Sequence, residues 1–201
     1  DFYESVLGLR VLEREGGEAV LGARGEEGPL VVLRERSGAA PVPRHGRLGL
    51  YHFAILLPSR AELGRFLRRL AELGVRAGAS DHFVSEALYL SDPDGLGIEV
   101  YAGRPRDQWE ADGREIRMAT VPLNAAELVA EAGEERWGGM LAGTVMGHLH
   151  LHVGDLVEAE AFYHRALGLD KVVWSYPGAL FLSACGYHHH RRNKTWSAVA
   201  P

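Results

Sequence analysis

Phe2-Tyr3-Glu4-Ser5-Val6-Leu7-Gly8-Leu9 returns late in the chain as Phe162-Tyr163-His164-Arg165-Ala166-Leu167-Gly168-Leu169. In both stretches Phe-Tyr and the Leu one turn later fall on one helical face, and the Gly suits a left-handed helix end. A strand-like run follows each copy, at 10–13 and at 171–175. Repetition on this scale sets the architecture, because each copy is one structural unit.

A further copy lies between them, recognisable by pattern rather than identity. Residues 50–57 form a short apolar run, read as a buried strand. Ser59 with Glu62 makes a capping box after Pro58, opening a helix with Leu63, Phe66, Leu67 and Leu70 along one face. Gly74 closes it; 87–90 reads as a strand, Asp92-Pro93-Asp94-Gly95 as a turn and 97–101 as the last strand. The final copy opens at 148–153, where His alternates with aliphatic residues, and Asp155 and Glu158 cap a helix running to Leu167. Strands are predicted around 172–175, 179–183 and 187–196.

The unit is therefore strand, helix and three strands, an α+β class built from tandem βαβββ modules. Residues 1–47 hold a partial first module, 48–103 a second and 147–201 a third, with a fourth absent. Residues 104–146, polar and containing Gly, read as a linker with one short helix near 124–132. The chain opens at Asp1 inside a helical pattern and stops at Pro201 after a strand-like run, so it reads as an interior piece of a longer protein.

Composition narrows the function. Of 201 residues, 46% are hydrophobic and 24% charged, the proportions of an ordinary globular chain rather than a disordered one. No run of about 18 apolar residues exists, which argues against a membrane span. The formal charge of −5 recruits neither nucleic acid nor an anionic membrane. Arg65, Arg68 and Arg69 on the charged helix read as a solvated outer face. The single cysteine, Cys185, excludes an internal disulfide and fits a reducing, cytoplasmic location; it reads as a packing residue. Gly138-Gly139 follows no strand, so it is not a phosphate-cradling loop.

The tandem modules, with Phe-Tyr and Leu-Gly-Leu closing the helix, resemble the vicinal oxygen chelate superfamily of glyoxalases, bleomycin- and fosfomycin-resistance proteins and extradiol dioxygenases. That resemblance implies paired modules forming cupped mixed sheets around a divalent metal. Gly49-Leu50-Tyr51-His52-Phe53-Ala54-Ile55-Leu56, Asp81-His82-Phe83-Val84-Ser85-Glu86-Ala87-Leu88-Tyr89-Leu90 and Gly186-Tyr187-His188-His189-His190 are similar to catechol 2,3-dioxygenase-like proteins in particular.

Three residues form the expected metal set. His52 precedes Leu57 by the interval at which His148 precedes Val153, so the two imidazoles occupy repeat-equivalent positions. Glu99 lies between Ile98 and Val100 on a buried strand, where a carboxylate is costly unless paired or bound to a cation. Two imidazoles and one carboxylate suit Fe(II) with open positions, and Mn(II) or another divalent ion takes the same donors. The set assembles only if modules two and three share one cup. His150 shares a face with His148 by the two-residue period and competes as a ligand without the repeat equivalence.

The resemblance further implies Tyr89 as the active-site tyrosine and His189 as the acid–base histidine, with His188 or His190 as its one-residue alternatives. Tyr89 also reads as a core aromatic, and His82 as either cavity lining or a turn cap. The leading expectation is an extradiol dioxygenase taking a small catechol-like aromatic and dioxygen. A glyoxalase-like isomerase or thiol-transfer enzyme on the same metal is the alternative, as is a metal-free drug-binding protein. Exposed sheet edges would also let the chain pair with a second copy.

Overall fold

The structure, a computed structural model, describes residues 1–41, 43 and 47–195. It opens with a short helix α1 (Phe2–Ser5) and a three-stranded meander of β1 (Arg10–Glu15), β2 (Glu18–Gly22) and β3 (Pro29–Arg34). Next come β4 (Gly49–Leu56), α2 (Arg60–Glu72), β5 (Gly78–Asp81), β6 (Ser85–Ser91) and β7 (Gly97–Gly103). A small hairpin, β8 (Ala111–Asp112) with β9 (Glu115–Ile116), and helix α3 (Ala125–Glu131) follow. The last part holds β10 (Val145–His152), α4 (Leu156–Glu160), a π-helical turn over Ala161–Ala166, β11 (Asp170–Val173), β12 (Ala179–Ser183) and β13 (Arg191–Lys194).

One mixed sheet organises the molecule, in the order β11-β12-β13-β10-β4-β7-β6-β5. Its centre is the antiparallel seam of β4 with β10, the first strands of modules two and three. On either side the pattern repeats: β4 runs parallel to β7, and β10 parallel to β13. Modules two and three thus form a single curled sheet related by a pseudo-two-fold axis at the seam, an α+β architecture. Along β4, Phe53 and Ile55 join the main core while Ala54 faces the cup, where it packs with Ala87 and Tyr101.

Helix α2 forms as its pattern dictates. Ser59 caps it by accepting from the Glu62 N–H, and Leu63, Phe66 and Leu70 are buried beneath it. Its arginines are not simply solvated, as the charge pattern suggested. Arg65 donates to the Ala132 carbonyl and Arg68 to the Gly133 carbonyl, so they satisfy acceptors just past the end of α3. Leu128 and Met140 from residues 104–146 are fully buried in the same core as α2. Gly64 permits this contact, since a Cβ there would meet the Leu128 backbone.

The repeated motif has two fates. Tyr3 (7% exposed) and Leu7 (0%) are packed into the main core, whereas Phe162 (54%) and Leu167 (60%) are exposed. The predicted strand at 187–196 is shorter than the apolar and aromatic pattern suggests, with β13 covering only Arg191–Lys194. Cys185 (φ 54°) and Gly186 (φ 66°) take left-handed backbone and turn the chain before it. Cys185 is exposed there rather than packed, and Trp196 lies outside the described residues.

Candidate metal centre

Alternation along three strands aims His52 (β4), Glu99 (β7) and His148 (β10) into the cup. The parallel register sets Glu99 beside Ala54, and the antiparallel seam sets His148 beside the same Ala54 from the other side. A lone methyl group between them leaves room for the acid and the imidazole to meet. Gly97 serves the third member: a Cβ there would lie 2.7 Å from the Tyr51 carbonyl oxygen and 2.9 Å from the His52 Cβ.

Oε2 of Glu99 lies 3.0 Å from Nε2 of His52 and 3.2 Å from Nε2 of His148. One donor atom from each of the three buried residues falls within 4.8 Å of the others, a group that could hold a metal ion. Burial opposes ionisation of Glu99, but His148 and His52 outweigh it and hold the carboxyl well below its usual range. Burial pushes His52 down to about 4, against the pull of Glu99, so its imidazole is neutral near pH 7. Deprotonated donors are what a metal requires.

The donor set passes a further test. Nε2 of His52 is buried and, despite its closeness to Glu99, has no hydrogen-bond partner. A polar atom left so is costly unless another group completes it. Two imidazole nitrogens and a carboxylate oxygen match a divalent transition ion. His150 stands apart from the group: its ring centroid is 4.6 Å from that of His52, and neither ring nitrogen has a partner.

The same pocket, with about 310 Å³ of empty space including its mouth, is lined by Tyr89, His82 and His189 as well as the three donors. Tyr89 pairs with Glu99 across β6 and β7. Nδ1–H of His82 donates to the Ala119 carbonyl at 2.7 Å, which leaves Nε2 to accept from the Tyr89 hydroxyl at 2.6 Å. Burial, with the Glu99 charge adding to it, raises Tyr89 well above its ordinary value, so it stays a neutral donor. His82 is aimed inward by its turn, in which Asp81 accepts from the Phe83 N–H and Phe83 takes φ 69°.

His189 lies against His148, the rings tilted at 51° with centroids 4.1 Å apart, and burial lowers it well below its usual value, helped by His148. Its Nδ1 is 2.8 Å from Nδ1 of His188, so one of the two carries the shared proton. His188 is buried beside Tyr101 and Trp109. His190 is exposed and its Nδ1 accepts from the Ala184 N–H. Of the three consecutive histidines, His189 is the one lining the pocket.

The sequence reading did not single out Arg192, Phe181, Tyr176 and Thr120, which also line the pocket. Phe181 carried only the ordinary signal of an apolar strand. Arg192 was detectable as a charge on a predicted inner strand, but its facing depends on where that strand starts, and the turn at 184–190 displaces it.

A family model described as the glyoxalase/bleomycin resistance protein/dioxygenase superfamily matches residues 1–100. The chain is 50% identical over 200 residues to a catechol-2,3-dioxygenase of Bacillus subtilis (strain 168), covering 98% of this chain and 69% of that protein. Among solved structures it is similar to a candidate dioxygenase from Bacillus subtilis, with a TM-score of 0.64, 18% identity, and coverage of all of this chain and 60% of that one. Glyoxalase I from Zea mays gives a TM-score of 0.52 at 16% identity, covering 97% of this chain and 62% of that one. The chain thus spans less than two thirds of these two structures, and at such identities they speak for the fold alone. With half its residues shared with the Bacillus subtilis relative over almost its whole length, this chain belongs to the glyoxalase/bleomycin resistance protein/dioxygenase superfamily.

Proposed function

We propose that the chain carries the active site of a metal-dependent extradiol dioxygenase that opens a catechol-like ring beside its two hydroxyls. His52, Glu99 and His148 would hold Fe(II), with Mn(II) or another divalent ion accepted by the same donors. The observation that carries this reading is one buried carboxylate meeting two imidazoles from different modules, in a pocket that also holds Tyr89, His82 and His189. The Bacillus subtilis relative named for this activity supports it. When bound, the ion supplies Lewis acidity and a meeting point for diol and dioxygen.

The chain's own residues supply proton handling and orientation. His189, neutral and beside His148, is placed to take a proton from a diol hydroxyl and to return it when the ring carbon–carbon bond has broken. Tyr89 turns its O–H toward the centre of the cup and gives a hydrogen bond to a substrate oxygen in exchange for the one it makes to His82. His82, locked in one tautomer by the Ala119 carbonyl, takes Tyr89 back afterwards. Phe181 forms an apolar wall for the ring. Both atoms of dioxygen finish in the product, so no external reductant is consumed.

The test is oxygen uptake by anaerobically Fe(II)-reconstituted protein on addition of catechol, followed in the ultraviolet-visible spectrum. Stoichiometric oxygen consumption with a yellow ring-fission product is the expected result. An isomerase, a thiol transferase or a drug-binding protein would leave oxygen untouched.

A further inference from the structure

The pseudo-two-fold axis at the β4–β10 seam assigns every cup-facing residue of module two a mate in module three. His52 and His148 are one such pair, each four residues before the end of its strand, β4 or β10. Two residues on, Ala54 is matched by His150. Ala54 pairs with Glu99 on the parallel neighbour β7, and His150 pairs with Arg192 on the parallel neighbour β13. Beyond these, Tyr89 opposes Glu99 on β6, and Phe181 opposes Arg192 on β12. Arg192 is therefore the symmetry mate of Glu99, a cation where the other half of the cup has an acid.

Both members line the same pocket. The Arg192 guanidinium carbon lies over the rings of Phe181 at 4.8 Å and Tyr176 at 5.3 Å, so the cation packs on the aromatic wall. Tyr176 is itself tied to Thr120, hydroxyl to hydroxyl, at 3.2 Å. A guanidinium cannot ligate a cation but offers a planar fork to a carboxylate.

We propose that the substrate is an aromatic diol bearing a carboxylate, and that Arg192 pairs with this carboxylate across the pocket from His52, Glu99 and His148. This rests on the diol-cleaving reading for the orientation of the ring, since the diol faces the donors and the acid group faces module three. Arg192 acts here as a specificity residue. Asymmetry between the two halves then does one job at each end: the acid of module two holds a metal, and the cation of module three holds an anion.

Two measurements separate this subsite from the reaction itself. With Fe(II)-loaded protein, the ring carboxylate of catechol should show a KM lower than that of the matching carboxamide by about tenfold or more, the scale of one charge-assisted pair in a shielded site. Arg192→Met should erase that ratio and Arg192→Lys should keep part of it, with circular dichroism verifying that both variants fold. Benzoate, which has no diol, gives the arm that does not depend on turnover. Ligand-observed NMR should show it binding wild type in preference to benzamide, and losing that preference in Arg192→Met. Equal binding of benzoate and benzamide to wild type, or a preference that survives Arg192→Met, overturns the subsite even where catechol is cleaved. Absence of oxygen uptake with all the diols overturns the dioxygenase reading instead, and the benzoate arm still decides the subsite.

Discussion

His150 lies directly opposite His52 across the β4–β10 seam, edge-on at 4.6 Å between ring centroids, and both of its ring nitrogens are buried without partners. The two imidazoles differ in their polar contacts: Nε2 of His52 lies 3.0 Å from the Glu99 carboxylate, whereas His150 touches the group only through the edge-on ring of His52. An unsatisfied buried polar group is a stability cost that an apolar residue of similar size removes. His150→Leu should therefore raise the stability of the fold by about 1 kcal/mol or more, read as a shift in the denaturant midpoint. Its metal content should equal that of wild type. Loss of metal from His150→Leu would make His150 a ligand.

Tyr89 and His189 should separate metal retention from turnover. Tyr89→Phe removes the hydroxyl but keeps the ring, and kcat should fall about a hundredfold, as when one preorganised donor is lost. His189→Ala should cost roughly a hundredfold or more in kcat through loss of the proton acceptor. Both variants should bind iron as wild type does. Steady-state oxygen uptake beside metal analysis of the same samples checks this, and a variant that loses both activity and iron counts against the assigned roles.

Asp81 supplies a pH-dependent contribution to the turn that aims His82. Arg104 pairs with it through two contacts of 2.7 and 2.8 Å and holds its carboxyl below the ordinary 3.8. Because the folded value is the lower one, the stabilisation is fully present above the unfolded value and is lost as pH falls through the folded one. Asp81→Asn should thus be less stable than wild type at neutral pH, and the gap should close on acidification below the ordinary aspartate range. Thermal melts across that window test it; a gap independent of pH contradicts it.

Gly147 bulges from the β10 ladder between Met146 and His148, and a Cβ there would collide with the Tyr101 phenol ring. Tyr101 has no room to yield, being fully buried with its hydroxyl 2.8 Å from that of Tyr187. Gly147→Ala should destabilise the protein by about 1–3 kcal/mol, the usual cost of overpacking. Equilibrium urea unfolding measures it, and an unchanged midpoint would show that the bulge can relax.

The seam of the cup is legible in the sequence because His52 and His148 stand at equal distances from the ends of two similar strands, and one face of each strand is buried. A slip of one residue would turn either imidazole out of the cup, so periodicity alone carries the alignment. The edge strand Gly78–Asp81 was not legible: Gly-Ala-Ser-Asp has no apolar alternation, and only pairing with β6 makes it a strand. Nor did the sequence reveal that Leu128 and Met140 are core residues: Leu128-Val129 and Met140-Leu141 are brief apolar pairs in a stretch without sustained periodicity, and tertiary packing selects which member is buried. Arg192 escaped for a related reason. The left-handed turn at Cys185 and Gly186 shifts the start of β13, so a strand counted from Tyr187 gives no reliable register at Arg192.

The assembly of His52, Glu99 and His148 around one cation is tested by metal stoichiometry. Protein reconstituted anaerobically with Fe(II), desalted and analysed for iron should carry one ion per chain, whereas His52→Ala, Glu99→Ala and His148→Ala should each retain almost none while remaining folded. Iron retained equally by wild type and the three variants would show that these residues do not form the site.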